Sequence, residues 1–327
     1  YRKQVSSFYD MSDIPKELRI RLNELAVISI PRVLKQRVSQ DGTRKFLLEM
    51  HDKKKVETVV IPQSREKQTR YSLCISTQVG CPVGCSFCAT GQSGFQRNLL
   101  AHEMVGQVLG SRRELAKRLK VTDELLITNV VYMGMGEPLD NLTEVMKSLE
   151  ILTGEWGYGW SPYRITVSTV GIKDRITEFL ENSRCNLAVS LHSPFDDERR
   201  TLMPVQKTNS LNDILSVIRN FDLNNQRRIS FEYILFKGIN DSPRHVKELL
   251  RILNGIRCRI NLIRFHPVPG SDLESPGPEE VIKFRYALTG KGIHATIRAS
   301  RGLDIQAACG LLSTLEKNKT RPECTGN

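Results

Sequence analysis

The residues with the most chemistry in this chain are its eight cysteines, at positions 74, 81, 85, 88, 185, 258, 309 and 324. Three of them, Cys81, Cys85 and Cys88, share one short loop in a Cys-x3-Cys-x2-Cys spacing. Gly80, Gly84 and Gly91 surround them, and Phe87 stands just before the last cysteine. Three thiolates on a tight loop are soft metal ligands. A structural zinc site wants four protein ligands and normally arrives as paired CxxC or CxxC/HxxxH groups. No second pair exists here, and His102 is the sole nearby candidate. Three cysteines suit a [4Fe–4S] cluster with one iron left open for a small chelating ligand. Three buried, inert cysteines is the alternative. Of the other five, Cys309 lies between the small residues Ala308 and Gly310 and follows Arg298 and Arg301, cations that would lower a thiol pKa. Cys74 precedes the cluster motif by seven residues. Cys185 and Cys258 fall in apolar runs and read as core. Cys324 lies in a tail rich in Lys, Pro and Gly.

Elements must bring these groups together. From about residue 70, apolar strand-like runs recur at 71–76, 126–133, 164–169, 185–192, 229–236, 258–265 and 293–298. Helical patterns lie between them, at about 101–119, 141–153, 172–181, 210–223, 243–254 and 278–290. This alternation implies βα units, a parallel sheet and an α/β fold. Six or more such units point to a full or partial barrel, with chemistry at the C-terminal strand ends. The candidates sit there: Gly136 and Glu137 after the second strand, Ser168 after the third, Ser190, Leu191 and His192 after the fourth, and His266 after the sixth. Residues 1–65 read separately, as a small basic α+β accessory domain. A helix opens near Asp13, with Leu18, Leu22 and Leu25 on one face. A hairpin spans 44–61 and turns near His51-Asp52-Lys53. The barrel takes 66–310, and 311–327 reads as a disordered tail.

Composition bounds the function. The 327 residues carry 48 Lys+Arg against 36 Asp+Glu, a formal charge of +12, and residues 1–60 alone hold 13 basic against 8 acidic side chains. This favours a polyanionic partner. Eight cysteines in 327 residues are too sparse for a disulfide scaffold. No run of eighteen apolar residues suggests a membrane helix, and the start has no apolar signal core. A reducing cytoplasm is the expected compartment. The chain opens without an initiator methionine, as a trimmed chain or one starting within a domain would.

The cysteine loop at the end of a first barrel strand resembles the signature of radical S-adenosylmethionine (SAM) enzymes. More narrowly, several stretches resemble the RlmN/Cfr group of rRNA adenine methyltransferases. These are Val56-Glu57-Thr58, the 74–91 loop, Phe95-Gln96-Arg97-Asn98-Leu99, Gly134-Met135-Gly136-Glu137-Pro138-Leu139, Val167-Ser168-Thr169-Val170-Gly171, Leu187-Ala188-Val189-Ser190-Leu191-His192, and the run from Arg301 to Gly310 containing Asp304-Ile305. The resemblance covers about residues 8–310. It implies a partial (βα)6 TIM-like barrel, a [4Fe–4S] cluster on Cys81, Cys85 and Cys88, and two SAM molecules per turnover. It places Gly136, Glu137, Ser168, Ser190, Leu191 and His192 around SAM. Relatives commonly carry Asn where this chain has His266, so His266 is carried over as a SAM contact that cannot bond as an amide does. The resemblance further makes Cys309 the methyl carrier, Cys74 the thiol that resolves a covalent RNA adduct by forming a disulfide, and Glu57 the base that removes the ring proton. The implied product is an adenosine in 23S rRNA, and in tRNA, methylated at C2. Methylation at C8, which confers antibiotic resistance, is the alternative within the group, and a non-catalytic iron–sulfur RNA-binding protein the alternative of another class. A flavodoxin- or ferredoxin-like electron donor and a monomeric state complete the expectation. Basic residues of the N-terminal region, with the pairs Arg112-Arg113 and Arg199-Arg200, are the expected phosphate contacts.

Overall fold

The computed structural model describes residues 5–65, 68–119, 127–222 and 229–314. A short helix, α1 (Lys16–Leu25), precedes three antiparallel strands, β1 (Arg32–Val38), β2 (Arg44–Glu49) and β3 (Lys55–Arg65). The first parallel strand, β4 (Gln68–Cys74), leads into the cysteine loop. That loop is flanked by a two-stranded ribbon of β5 (Gln78–Gly80) and β6 (Phe95–Asn98), with the single turn α2 (Ala89–Gln92) between them.

Then come α3 (Ala101–Leu119), β7 (Ile127–Tyr132), α4 (Leu142–Thr153), β8 (Ile165–Thr169), α5 (Lys173–Asn182) and β9 (Asn186–Ser190). The chain continues through α6 (Asp196–Leu202), α7 (Leu211–Asn220), β10 (Ile229–Leu235), α8 (Pro243–Leu253), β11 (Cys258–Arg264), α9 (Pro278–Thr289) and β12 (His294–Ile297).

Strands β4, β7, β8, β9, β10, β11 and β12 pair in that order, all parallel. Six of them are each followed by a helix, and the seventh ends the series. This is the expected α/β partial barrel. All seven residues of β10, Ile-Ser-Phe-Glu-Tyr-Ile-Leu, are buried, as a parallel strand covered on both faces requires. Phe231, Tyr233 and Leu235 are fully enclosed; each such apolar side chain contributes about 1.5–3 kcal/mol. A second, smaller core lies at the strand ends under the cysteine loop. There Phe236, Ile263 and Phe265 pack with Phe87 and Cys85.

The N-terminal region joins the barrel more closely than a separate hairpin would. The β2–β3 hairpin turns where expected, but β3 also pairs antiparallel with β4, so β1–β3 extend the barrel sheet. The sequence reading missed β1. It is an edge strand whose Val33, Leu34 and Val38 do not alternate with its polar residues, and whose exposed Arg32, Lys35 and Arg37 are the usual protection of an open edge. The first helix also differs from expectation. Its N-cap is Pro15 rather than Asp13, and none of its residues is buried, so Leu18, Leu22 and Leu25 form no core face. At the other end, residues 311–313 are not loose. Thr90 Oγ1 donates to the Leu312 carbonyl at 2.6 Å and the Ser313 amide donates to Glu57 Oε2 at 3.0 Å. Residues 315–327, with Cys324, lie outside the described residues.

Candidate active site

The site is built on the C-terminal ends of the parallel strands. After β4 the backbone turns through β5, where Gly80 (φ +78°) passes so close to the Gly94 carbonyl that a Cβ would stand 1.8 Å from it. The loop that follows carries Cys81, Cys85 and Cys88. Burial pushes the Cys81 thiol up to about 12 and Cys85 well above its usual value. Repulsion from Cys88 adds to both, and Cys81 itself adds to Cys85. Only a bound cation would make such mutually repelling thiols thiolates. Among the described residues no three His, Cys, Asp or Glu side chains gather as they would around one ion. Three cysteines without a fourth protein ligand fit a [4Fe–4S] cluster with one open iron better than a structural zinc, which takes four. Phe87 meets the His192 ring edge-on at 4.9 Å and Phe236 at 5.6 Å, so apolar rings seal the loop from below.

The strand-end motifs surround this loop. Gly134 donates to the Ile75 carbonyl at 3.0 Å and approaches it so closely that a Cβ would lie 2.6 Å from that oxygen. Gly136 (φ +99°) presses on Gln78, whose amide nitrogen donates to Asn98 and Asp140 and whose oxygen accepts the Glu137 amide. The Glu137 side chain, expected around SAM, is also engaged within the protein. Its carboxylate accepts from Thr169 Oγ1 at 2.6 Å, the Val170 amide at 2.9 Å and the Leu139 amide at 3.0 Å. It thereby ties the loop after β7 to the loop after β8. Burial pushes its pKa up to about 7 against the pull of those three bonds. Ser168 and Ser190 are half-buried on the neighbouring strands, and Leu191 is buried. His192 has a left-handed backbone (φ +56°), is buried, and accepts the Ile234 amide at Nδ1 at 3.0 Å, which leaves its proton on Nε2. Burial, with the Arg199 charge, pulls its pKa down to about 3, so the ring is neutral.

Arg199 corrects one expectation. It is fully buried, and its guanidinium donates to the carbonyls of Val170, Ser190 and Leu191 and to Gln206. It pins the ends of β8 and β9 and cannot reach a phosphate. Arg112 is likewise buried, and lies over the Tyr158 ring. Arg113 donates to the Val5 carbonyl. Of the four arginines offered for RNA, only Arg200 is exposed, and it pairs with Asp197.

Cys74 and Cys309 line a single cavity of about 380 Å³. The barrel thus brings together two thiols that are 235 positions apart. Cys309 is exposed and Cys74 buried. Burial, then the neighbouring Cys309, pushes Cys74 up to about 12 while Arg298 pulls it down. Arg298 stands between them and Glu232. Cys309 is the strongest of the neighbours that hold this guanidinium protonated, and Glu232 Oε2 lies 3.5 Å from it. His266 lines the same cavity and hydrogen-bonds Ser300 Oγ through Nε2 at 2.7 Å. Glu57 does not line the cavity. It lies behind Leu312 and Ser313, paired with Lys45 Nζ at 2.9 Å, both side chains under 9% exposed. Burial pushes its pKa up, and Lys45 opposes that most. Cys185 and Cys258 pack in or against the main core, as expected.

Sequence reasoning missed Lys45 and Glu232. Lys45 looked like one more surface cation. Glu232 carried a readable sign, a lone acid inside an unbroken buried strand.

Residues 75–251 match the radical SAM superfamily model. The chain is 46% identical over 321 residues to a protein of Phocaeicola vulgatus described as a probable dual-specificity RNA methyltransferase RlmN, covering 98% of this chain and 88% of that one. It is 47% identical over 313 residues to a protein of Syntrophomonas wolfei with the same description, covering 95% and 88%. The solved structure of a radical SAM methyltransferase from Sphaerobacter thermophilus superposes with a TM-score of 0.87 at 38% identity, covering 95% of this chain and 89% of that one.

Proposed function

Because this chain belongs to the radical SAM superfamily and, within it, to the family of RlmN RNA methyltransferases, we propose that it methylates C2 of a specific adenosine in 23S rRNA and in tRNA through a methylated Cys309. The observation that carries this reading is the single cavity lined by both Cys309 and Cys74, with Arg298 beside the two thiols. The cofactors of the family are a [4Fe–4S] cluster and SAM, which together supply a methyl group and, on one-electron reduction, a radical able to remove hydrogen from an unactivated carbon.

Adenine C2 is electrophilic, so a nucleophilic carrier is needed rather than direct transfer to the base. Cys309, exposed and flanked by Ala308 and Gly310, accepts the methyl group on its sulfur and presents the carbon to the ring. Glu57, whose charged form Lys45 favours against burial, takes the C2 proton from the covalent adduct after residues 312–313 move aside. Cys74 then attacks the Cys309 sulfur. An S–S bond forms, the S–C bond to RNA breaks, and the methylated base leaves. An external thiol reductant restores both cysteines, and a flavodoxin- or ferredoxin-like protein supplies the reducing electron.

In this reading Cys81, Cys85 and Cys88 hold the cluster. Gly136, Ser168, Ser190, Leu191 and His192 cradle SAM, with Glu137 and Arg199 fixing the loops that bear them. His266 faces the same cavity as the thiols and contacts the far side of SAM or the base. The exposed Arg32, Lys35 and Arg37 of β1 and the Lys53–Lys54 turn hold RNA phosphates, and the target base enters flipped from its stack. The chain works as a monomer. No helix of the described residues is long and apolar enough to cross a membrane.

Cys309→Ala tests the scheme. The variant is expected to keep its cluster absorbance and its capacity to cleave SAM while losing methyl transfer to RNA; retained methylation overturns the covalent route.

A further inference from the structure

Residues 298–313, which carry Cys309, contain no regular element beyond a short 3-10 turn at Leu303–Ile305. A free loop would be a poor carrier for a thiol that must serve a methyl donor, a base and Cys74 in turn. The structure shows what holds it. Ser39 Oγ donates to Asp304 Oδ1 at 2.5 Å and the Gln40 amide donates to Asp304 Oδ2 at 3.2 Å. Asp41 returns the contact, accepting the Gly302 amide at 2.9 Å while its other oxygen accepts the Thr43 amide at 2.9 Å. Lys45 Nζ donates to the Gln306 carbonyl at 3.0 Å. Each acid sits on one partner and grips the backbone or hydroxyl of the other, so the two segments are clasped reciprocally.

The fit is also steric. Gly302 (φ +64°) lies so close to Thr43 that a Cβ would stand 2.9 Å from Thr43 Cγ2 and 2.8 Å from Ala307 Cβ. Gln306 adopts a left-handed backbone (φ +56°) and Gly310 another (φ +82°), so the loop is bent to one shape on either side of Cys309. Burial works against an ionised Asp41, yet hydrogen bonds from Thr43, Gly302 and Ser39 outweigh it and pull its pKa down to about 2. Asp41 is therefore held in its ionised form, and hydrogen bonds from Ser39 and Gln40 pull the Asp304 pKa down as well.

We propose that the β1–β2 turn, through Ser39, Gln40, Asp41 and Thr43, is the dock that positions the Cys309 loop, with Asp41 and Asp304 as its positioning residues. The inference rests on the reading of Cys309 as the reactive thiol. It gives the N-terminal strands a second task beside holding RNA. The surface that grips phosphates at Arg32, Lys35 and Arg37 is continuous, through the same hairpin, with the seat of the thiol.

The test uses full-length, cluster-loaded protein and the single variants Asp304→Asn and Asp41→Asn, with Ser39→Ala as the milder change. Each Asn keeps the shape and loses the charge-assisted bonds. Hydrogen exchange read by mass spectrometry is expected to speed up about tenfold or more in peptides covering 302–313, with peptides from β9, β10 and β11 unchanged. Steady-state methylation is expected to lose about tenfold in kcat with the KM for RNA within twofold of wild type. Unchanged exchange in 302–313 overturns the dock. So does a loss confined to KM, which would make the turn an RNA contact only, and so does faster exchange with unaltered kcat. Cys309→Ala run alongside separates the two layers. If that variant stays active, the reading of Cys309 has failed; if it is dead while Asp304→Asn is normal, only the dock has.

Discussion

Lys45→Met should turn Glu57 from a base into an acid. Lys45 Nζ lies 2.9 Å from Glu57 Oε1, and the two side chains are 7% and 8% exposed. At an effective dielectric near 20, unit charges at that distance attract by about 6 kcal/mol before desolvation. Breaking a buried pair by removing one partner costs about 3–5 kcal/mol if the survivor stays charged. Glu57 has a cheaper outcome, which is to bind a proton. Burial already raises its pKa above the 4.5 of the unfolded chain, and Lys45 is the strongest opposing influence. Without Lys45 that opposition is gone, the pKa rises further, and the protonated form of the carboxyl is favoured. The sign for stability follows. A raised folded-state pKa gives a contribution that is full below pH 4.5 and lost as pH rises through the folded value. Urea denaturation should therefore show the variant falling further behind wild type as pH rises. Anaerobic single-turnover methylation between pH 6 and 9.5 should show the ascending limb moved to higher pH, each unit of movement being about a tenfold loss on the acid side. Lys45→Arg, which keeps the cation, should stay near wild type. A Lys45→Met profile that superposes on wild type, or a loss independent of pH, would refute the reasoning.

Arg298→Met removes the cation that lowers the Cys74 pKa, so Cys74 should resolve the adduct more slowly and a covalent protein–RNA species should build up on denaturing gels. Gly134→Ala would drive a Cβ to 2.6 Å from the Ile75 carbonyl, and the midpoint of urea denaturation should fall by the equivalent of about 3 kcal/mol. Glu137, pushed up to about 7 from an unfolded 4.5, should cost the ligand-free protein about 3 kcal/mol as pH rises from 4.5 through 7; Glu137→Gln should flatten that slope in thermal melts across pH 5–8. Arg199→Gln should lower SAM affinity by loosening the β8 and β9 ends, without changing the salt dependence of RNA binding, because Arg199 never meets solvent. RNA affinity should fall steeply with salt, and the slope should shrink in Arg32→Ala and Lys35→Ala.

The parallel strands were legible because buried βα units write long apolar runs at regular intervals, and the seven runs read from sequence are the seven strands found. The cysteine loop was legible because its spacing is local. Side-chain destinations were not. Arg199 and Arg200 are neighbours in sequence, yet one is sealed under the strand ends and the other faces water. Which of them turned inward depends on how the ends of β8 and β9 fold back over residue 199: the Val170 carbonyl comes from 29 positions away, and the nearer Ser190 and Leu191 carbonyls face Arg199 only once β9 is in the sheet. Lys45 was hidden in the same way, since its partners Glu57 and Gln306 come from 12 and 261 positions away. Strand β1 was missed because an edge strand is selected for charge rather than for apolar alternation. The resemblance places Glu137 around SAM; that its carboxylate also accepts from three internal donors, two of them at the end of β8, is not written in its motif.

The central claim is that a methyl group passes through Cys309 to C2 of adenine. Its most direct test is mass mapping of methyladenosine after anaerobic reaction of the reduced, cluster-loaded enzyme with isotope-labelled SAM and 23S rRNA fragments. The account predicts a single labelled 2-methyladenosine, absent with Cys309→Ala. Label at C8, or label at C2 that persists in Cys309→Ala, would contradict it.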